Sequence, residues 1–194
     1  MRGYPRRMMT GGITPRRTGF FDGFDMTGFW SDFCDEDWNE PAPSDETIAE
    51  VETALGFRLP DAWVEFARMH NGGDVERNCF PTNQPTTWAE DHIAITSIRP
   101  IGRTAAASLL GSWGHRAVIE EAGYPELGPV LADCPSGGHD LVMLDHSECE
   151  PTGEPRVVHV DQEVGYRVTV LAPDFATFVK GLVSGEEFEP GEDV

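Results

Sequence analysis

Apolar side chains recur along this chain with two periods, and the changes of period mark its elements. Ile48, Val51 and Leu55 stand at i, i+3 and i+7, so they share one face of a helix expected over 44–55. Ser44 can cap its first amides, Asp45 and Glu46 suit the positive end of its dipole, and Gly56 is placed to end it in a left-handed conformation. A second helix is expected to open near Pro60, where proline loses nothing by lacking an amide. Trp63, Phe66, Ala67 and His70 follow at i, i+3, i+4 and i+7, and Asn71-Gly72-Gly73 ends it. His70 reads as a packing residue whose charge the helix dipole favours.

Beyond this pair the period falls toward two. Residues 78–88, with Pro81, Asn83 and Pro85, read as a loop, and 92–98 alternate as one strand. Residues 103–122 read as helical with interruptions at Gly111 and Gly114. A short strand is expected over 129–133. The apolar run 141–144 predicts a strand buried on both faces or nearly so. Residues 156–160 and 166–171 predict two more strands joined by the turn 161–165. Pro173 and Asp174 open a last helix carrying Phe175, Phe178, Val179 and Leu182, which Gly185 ends. Helices first, then clustered strands with a hairpin, predict an α+β single domain with a mainly antiparallel mixed sheet packed with helices.

Composition divides the chain. Residues 1–28 hold six glycines and two prolines and read as a flexible Gly/Arg-rich segment; 29–185 form the domain; 186–194 are an acidic tail. The basic opening lacks the apolar stretch of a secretory signal. Being Arg-rich and free of acids, it faintly suggests a transit peptide, but reads better as a disordered tail or a start-codon choice, with Met8, Met9 or Met26 as the working start. Phe20, Phe21, Phe24, Phe29, Trp30, Phe33 and Trp38 then crowd one stretch, interleaved with acids. Docking of these rings on the domain is expected, since so many left in water would form an aggregation-prone patch.

Charge narrows the function classes. The net charge is −20, and because the first nineteen residues hold five arginines and no acid, the other 175 carry −25. Such a body repels nucleic acid and anionic membrane and attracts a basic partner, although solubility alone also favours acidity. Cys34, Cys79, Cys134 and Cys149 form no CxxC pair, so reduced thiols in a cytoplasmic protein are expected. No apolar run is long enough to cross a membrane.

Candidate chemistry is sparse. His139, Asp140, Asp145, His146, His159 and Asp161 gather ligand types suited to zinc or iron. Adjacent residues on a strand point to opposite faces, which argues against a tight site at His139, Asp140, Asp145 and His146. No nucleophile motif or phosphate loop is present, and no catalytic residue or cofactor is expected. What remains are acidic surfaces: Asp35, Glu36 and Asp37, with Glu40 beside them, and the loop bearing Glu148, Glu150 and Glu154. Both are candidate partner-binding groups, because loops carry recognition more often than cores do.

The order of these motifs is similar to that of a known family. Leu55-Gly56, Leu59-Pro60 and the aromatic helix closing on Asn71-Gly72-Gly73 resemble the Smi/Knr family of the SUKH superfamily. Ile98-Arg99-Pro100-Ile101-Gly102, the stretch 138–145, Pro155 to Val160 and Leu171 to Phe178 resemble its later strands and closing helix. The resemblance covers about 38–184; residues 1–37 have no counterpart, and His139 stands where a small residue is usual. It implies an α+β domain without catalytic residues. It further implies an immunity protein that binds and neutralises a polymorphic toxin, a basic nuclease domain being the partner that charge favours. A regulatory scaffold, as in fungal relatives, is the alternative, followed by a metal-dependent enzyme.

Overall fold

The computed structural model describes residues 15–33 and 35–188. Helices α1 (Asp45–Leu55) and α2 (Asp61–Met69) come first. Short strands β1 (Gly73–Asp74), β2 (Cys79–Pro81), β3 (His92–Ala94) and β4 (Ser97–Ile98) follow, then helix α3 (His115–Glu120). Strands β5 (Val130–Asp133), β6 (Asp140–Asp145), β7 (Arg156–Asp161) and β8 (Arg167–Ala172) precede helix α4 (Phe175–Gly181) and a 3-10 turn, Gly185–Phe188. Six strands form one sheet in the order β1-β4-β5-β6-β7-β8, and β2 pairs with β3 apart from it. Every described strand pair is antiparallel. The molecule is an α+β domain.

The two best-punctuated helices form for the reasons their sequence states. Ser44 accepts from the Thr47 amide, and Gly56, at φ 79°, closes α1 by donating to the Glu52 carbonyl. Trp63, Phe66 and Ala67 of α2 are buried against Phe175 and Phe178 of α4. Asn71 then turns inward: its amide donates to the Pro41 and Ile101 carbonyls at 2.9 and 3.0 Å, and its oxygen accepts from the Ile101 amide at 2.8 Å. Gly72 must be glycine, because at φ 81° a Cβ would lie 2.5 Å from the Trp38 carbonyl.

The sheet is apolar on both faces. Val142, Leu144 and Val157 join the main core under α2 and α4. Leu141, Met143, Val158 and Val160 face the other way, onto Val118 of α3, Tyr124 and Val130. This double coverage explains the continuous apolar run in β6.

Several sequence expectations are corrected. The single strand expected over 92–98 is two, since β3 pairs with β2 whereas β4 pairs with β1 and β5; Ile93, Ile95 and Ile98 are buried throughout, so the pattern does not register the exchange of partner. The expected loop 78–88 contains β2. Of the helix expected over 103–122 only His115–Glu120 forms. Before it the chain folds into tight turns, in which a Cβ on Gly111 or Gly114 would meet the Ala105 or Ser108 carbonyl at 2.3 or 2.4 Å. Helix α4 stops at Gly181, because Leu182 is extended and Val183 bridges to Cys79. His70 packs as expected, stacking on Trp30 at 4.2 Å, but burial pushes its pKa down, against the charge the dipole would favour.

Residues 15–28, expected within a flexible lead-in, are strapped to the helix pair. Arg16 donates to the Leu59 carbonyl, Asp61 and Glu52, and the Gly19 and Phe21 amides donate to Glu65. Phe21 and Phe29 are buried, Phe24 and Trp30 pack beside them, and Phe33 stays exposed. The rest of that lead-in, residues 1–14, lies outside the described residues, as do Cys34 and most of the acidic tail, 189–194. Cys79, Cys134 and Cys149 are free thiols.

Candidate recognition surfaces and a buried carboxylate cleft

The two acidic groups hang on different elements. Asp35 accepts from the Asp37 amide at 2.9 Å and so holds a turn that presents Glu36 and Asp37 to solvent. Asp74 of β1 adds a carboxylate beside them: burial, then the charge of Asp35, pushes its pKa up. Glu40 has a structural duty, accepting from the Thr104 and Ala105 amides and the Ser108 hydroxyl. The second group lies on the loop joining β6 to β7. Glu148 pairs with Arg156 at 2.8 Å and Glu154 with Arg17 at 3.3 Å, while Glu150 projects into solvent. Two strands separate β1 from β6, so roughly 14 Å of sheet lies between the groups.

The sequence-based metal quartet does not assemble. Asp140 and Asp145 cap opposite ends of β6, about 17 Å apart at the usual rise per residue, so they cannot share an ion. His139 is exposed and faces Glu163 at 3.5 Å. Asp145 is bound by Arg156 at 2.8 Å and by the Ser147 amide. His146 packs on the Phe57 ring, with its Nδ1 3.6 Å from the Cys149 sulfur.

Antiparallel register builds a different cluster instead. Asp140 lies directly opposite Asp161, and the next pair on the same face is Val142 and His159. His159 Nε2–H donates to Asp140 Oδ2 at 2.6 Å. Cys134, just past β5, completes a buried trio whose side-chain donor atoms lie within 4.8 Å of one another. Asp140 Oδ1 and His159 Nδ1 are buried without a hydrogen-bond partner. Asp161 is fully buried, accepting from the Thr87 hydroxyl and the Glu163 amide, with Arg167 3.9 Å away. Above the two carboxylates opens a cleft of about 240 Å³ lined by Thr87, Trp88, Ser136, His139, Asp140, Asp161 and Glu163.

The sequence profile of the SMI1 / KNR4 family (SUKH-1) matches residues 42–181. The chain belongs to this family. No match is found among the curated proteins or among the solved structures.

The family match of this SMI1/KNR4 domain runs from the approach to α1 through α4, so it includes the cleft and excludes the strap. Electrostatics define what the cleft can do. Burial raises the pKa of Asp140, but hydrogen bonds from His159, Ser136 and Cys134 outweigh it, and the group is held ionised below the usual carboxylate range. Burial, then the charges of Asp140 and Asp133, push the Cys134 thiol well up. A buried, protonated thiol is a poor nucleophile. His159 and Asp161 stand out in the sequence as ligand types, but their pairing with Asp140 depends on strand register. Cys134 and Trp88 carry no local signal; only the turn Ser136-Gly137-Gly138, which folds Cys134 back toward Asp140, points to the former.

Proposed function

We propose that this SMI1/KNR4 protein is an immunity protein, which binds and neutralises a polymorphic toxin in the cytoplasm through its acidic surface and performs no chemistry of its own. The observation that carries the reading is the charge of −25 on the chain beyond its first nineteen residues, in a family whose bacterial members are largely of this type. Nuclease toxins are basic because their substrate is polyanionic, so an acidic inhibitor both attracts the toxin and competes for its substrate cleft. Among the described residues no ion pair involves Glu36, Asp37 or Glu150, which leaves them available to a basic partner. They are the proposed contacts, with Asp35, Glu148 and Glu154 beside them. Among the described residues no helix is long and apolar enough to cross a membrane.

The test is protection. Cells expressing a toxin encoded beside this gene should survive when the chain is co-expressed. Killing by every adjacent toxin at an undiminished rate would overturn the proposal.

A further inference from the structure

A buried trio of side chains lies apart from both acidic surfaces. Cys134 follows β5, Asp140 opens β6 and His159 lies in β7, so three neighbouring strands each bring one side chain to it. The three residues are 5%, 4% and 0% exposed, and one donor atom from each falls within 4.8 Å of the other two. Asp140 and His159 answer each other through Oδ2 and Nε2 at 2.6 Å. Asp140 Oδ1 and His159 Nδ1 are then left buried with no partner. Unanswered polar atoms in a core are destabilising and call for a ligand or a function.

The donor set selects the ligand. A thiolate, an imidazole and a carboxylate together suit zinc, whereas magnesium and calcium take oxygen donors. With the thiol and carboxylate ionised and the imidazole neutral, two negative charges answer a divalent ion, so the filled site is buried without net charge. The thiol proton leaves to solvent as the sulfur binds. Donor atoms on one tetrahedral zinc lie about 3 to 4 Å apart, so the trio closes on an ion by side-chain adjustments of about 1 Å. Local structure holds two of the ligands in place beforehand. The turn from Cys134 back to Asp140 passes through Gly137 and Gly138, at φ 69° and 97°, and the Ser136 hydroxyl accepts from the His139 and Asp140 amides at 3.1 and 3.0 Å. Asp161, across from Asp140, is already answered by Thr87 and the Glu163 amide and is not needed as a ligand.

We propose that Cys134, Asp140 and His159 form a structural zinc site that clamps the end of β5 to β6 and β7, with a water in the fourth position. The ion is bound as the sheet closes over it, because the ligands come from three strands and all are buried. Its role is to brace the sheet, and it stands independently of the immunity reading. Of the ligand types His139, Asp140, Asp145 and His146 that the sequence offers as a metal set, the site uses Asp140 alone.

The test uses the full chain without a histidine tag, unfolded in guanidinium with a chelator and refolded with zinc, with cobalt(II) or with neither. Refolding with zinc should yield about one ion per chain by elemental analysis. At free zinc about a hundred times its dissociation constant, the unfolding equilibrium constant should fall by about a hundredfold. The cobalt form should show thiolate-to-cobalt charge-transfer absorption. Cys134→Ala should abolish that absorption and weaken zinc binding by about a hundredfold or more, at least the loss that removal of a group supporting a ligand causes. His139→Ala should leave both unchanged. A variant in which Cys34, Cys79 and Cys149 are all alanine should keep the absorption, which assigns it to Cys134 even if Cys134→Ala does not fold. A refolded chain without stoichiometric zinc overturns the proposal, as does a cobalt form without the charge-transfer band. So does equal zinc affinity in wild type and Cys134→Ala, or a band that disappears with Cys149→Ala, which would place the ion at the pair His146 and Cys149 instead.

Discussion

Two buried polar residues show how much single side chains decide here. Asn71 ties the end of α2 to Pro41 and Ile101 with three hydrogen bonds. Asn71→Ala strands three buried backbone groups, each costing on the order of 1 kcal/mol or more, so the loss should be about 3 kcal/mol by urea denaturation. An unchanged midpoint would show that water replaces the side chain. His115, buried at the start of α3, has its pKa pushed down to about 4 by burial and then by the charge of Arg99. Its unfolded form takes up a proton at a higher pH than the folded form. Its contribution is therefore complete above about pH 6.5 and lost as pH falls toward 4, a loss of about 3 kcal/mol. Asp74 and Glu154, raised by burial, act with the opposite sign, so the comparison with His115→Gln is the readout. That variant should show a flatter stability profile between pH 6.5 and 4; parallel profiles would remove His115 as the cause.

At the scale of elements, the strap over α2 behaves as part of the core. Phe21 sits 5.1 Å from Phe66 and 6.3 Å from Phe175, ring to ring, whereas Phe33 is 66% exposed. Phe21→Ala should cost about 3 kcal/mol and Phe33→Ala less than about 0.5 kcal/mol, read as shifts in denaturation midpoint. Equal effects would mean that the strap is only peripheral. Docking of its rings is expected from their number, but its anchorage is not, because Arg16 docks through partners 36 and 45 positions away that no local pattern shows. Helices α1 and α2 were legible through Ser44, Gly56 and the spacing of Trp63, Phe66 and Ala67, all local signals. Strands β5 to β8 were legible as apolar runs. The exchange of partners at Ile95 was not, since alternation records which side is buried and not which strand is adjacent. The cleft was half legible: Asp140, His159 and Asp161 stood out by type, but only register places them together, and Trp88 joins the lining through its neighbour Thr87, which bonds Asp161 from 74 positions earlier.

At the scale of the whole molecule, the acidic field and the individual contacts have separable consequences. A net charge of −20 acts over distances up to the Debye length and raises the encounter rate with a basic partner, whereas seated groups set how long the complex lasts. Association with a basic toxin domain should therefore approach about 10⁸ M⁻¹s⁻¹ at low salt and fall by about tenfold or more near 0.5 M salt, with dissociation changing far less. Reversing charge on one surface at a time locates the approach. Glu36→Lys with Asp37→Lys changes the β1 side, and Glu150→Lys changes the loop between β6 and β7, without touching a buried group. The surface nearer the partner should lose about threefold to tenfold in association rate, and the other should lose little. Stopped-flow measurement on each variant reads this directly. If neither reversal slows association, and added salt has no effect, the acidity serves solubility and the partner is held by other means.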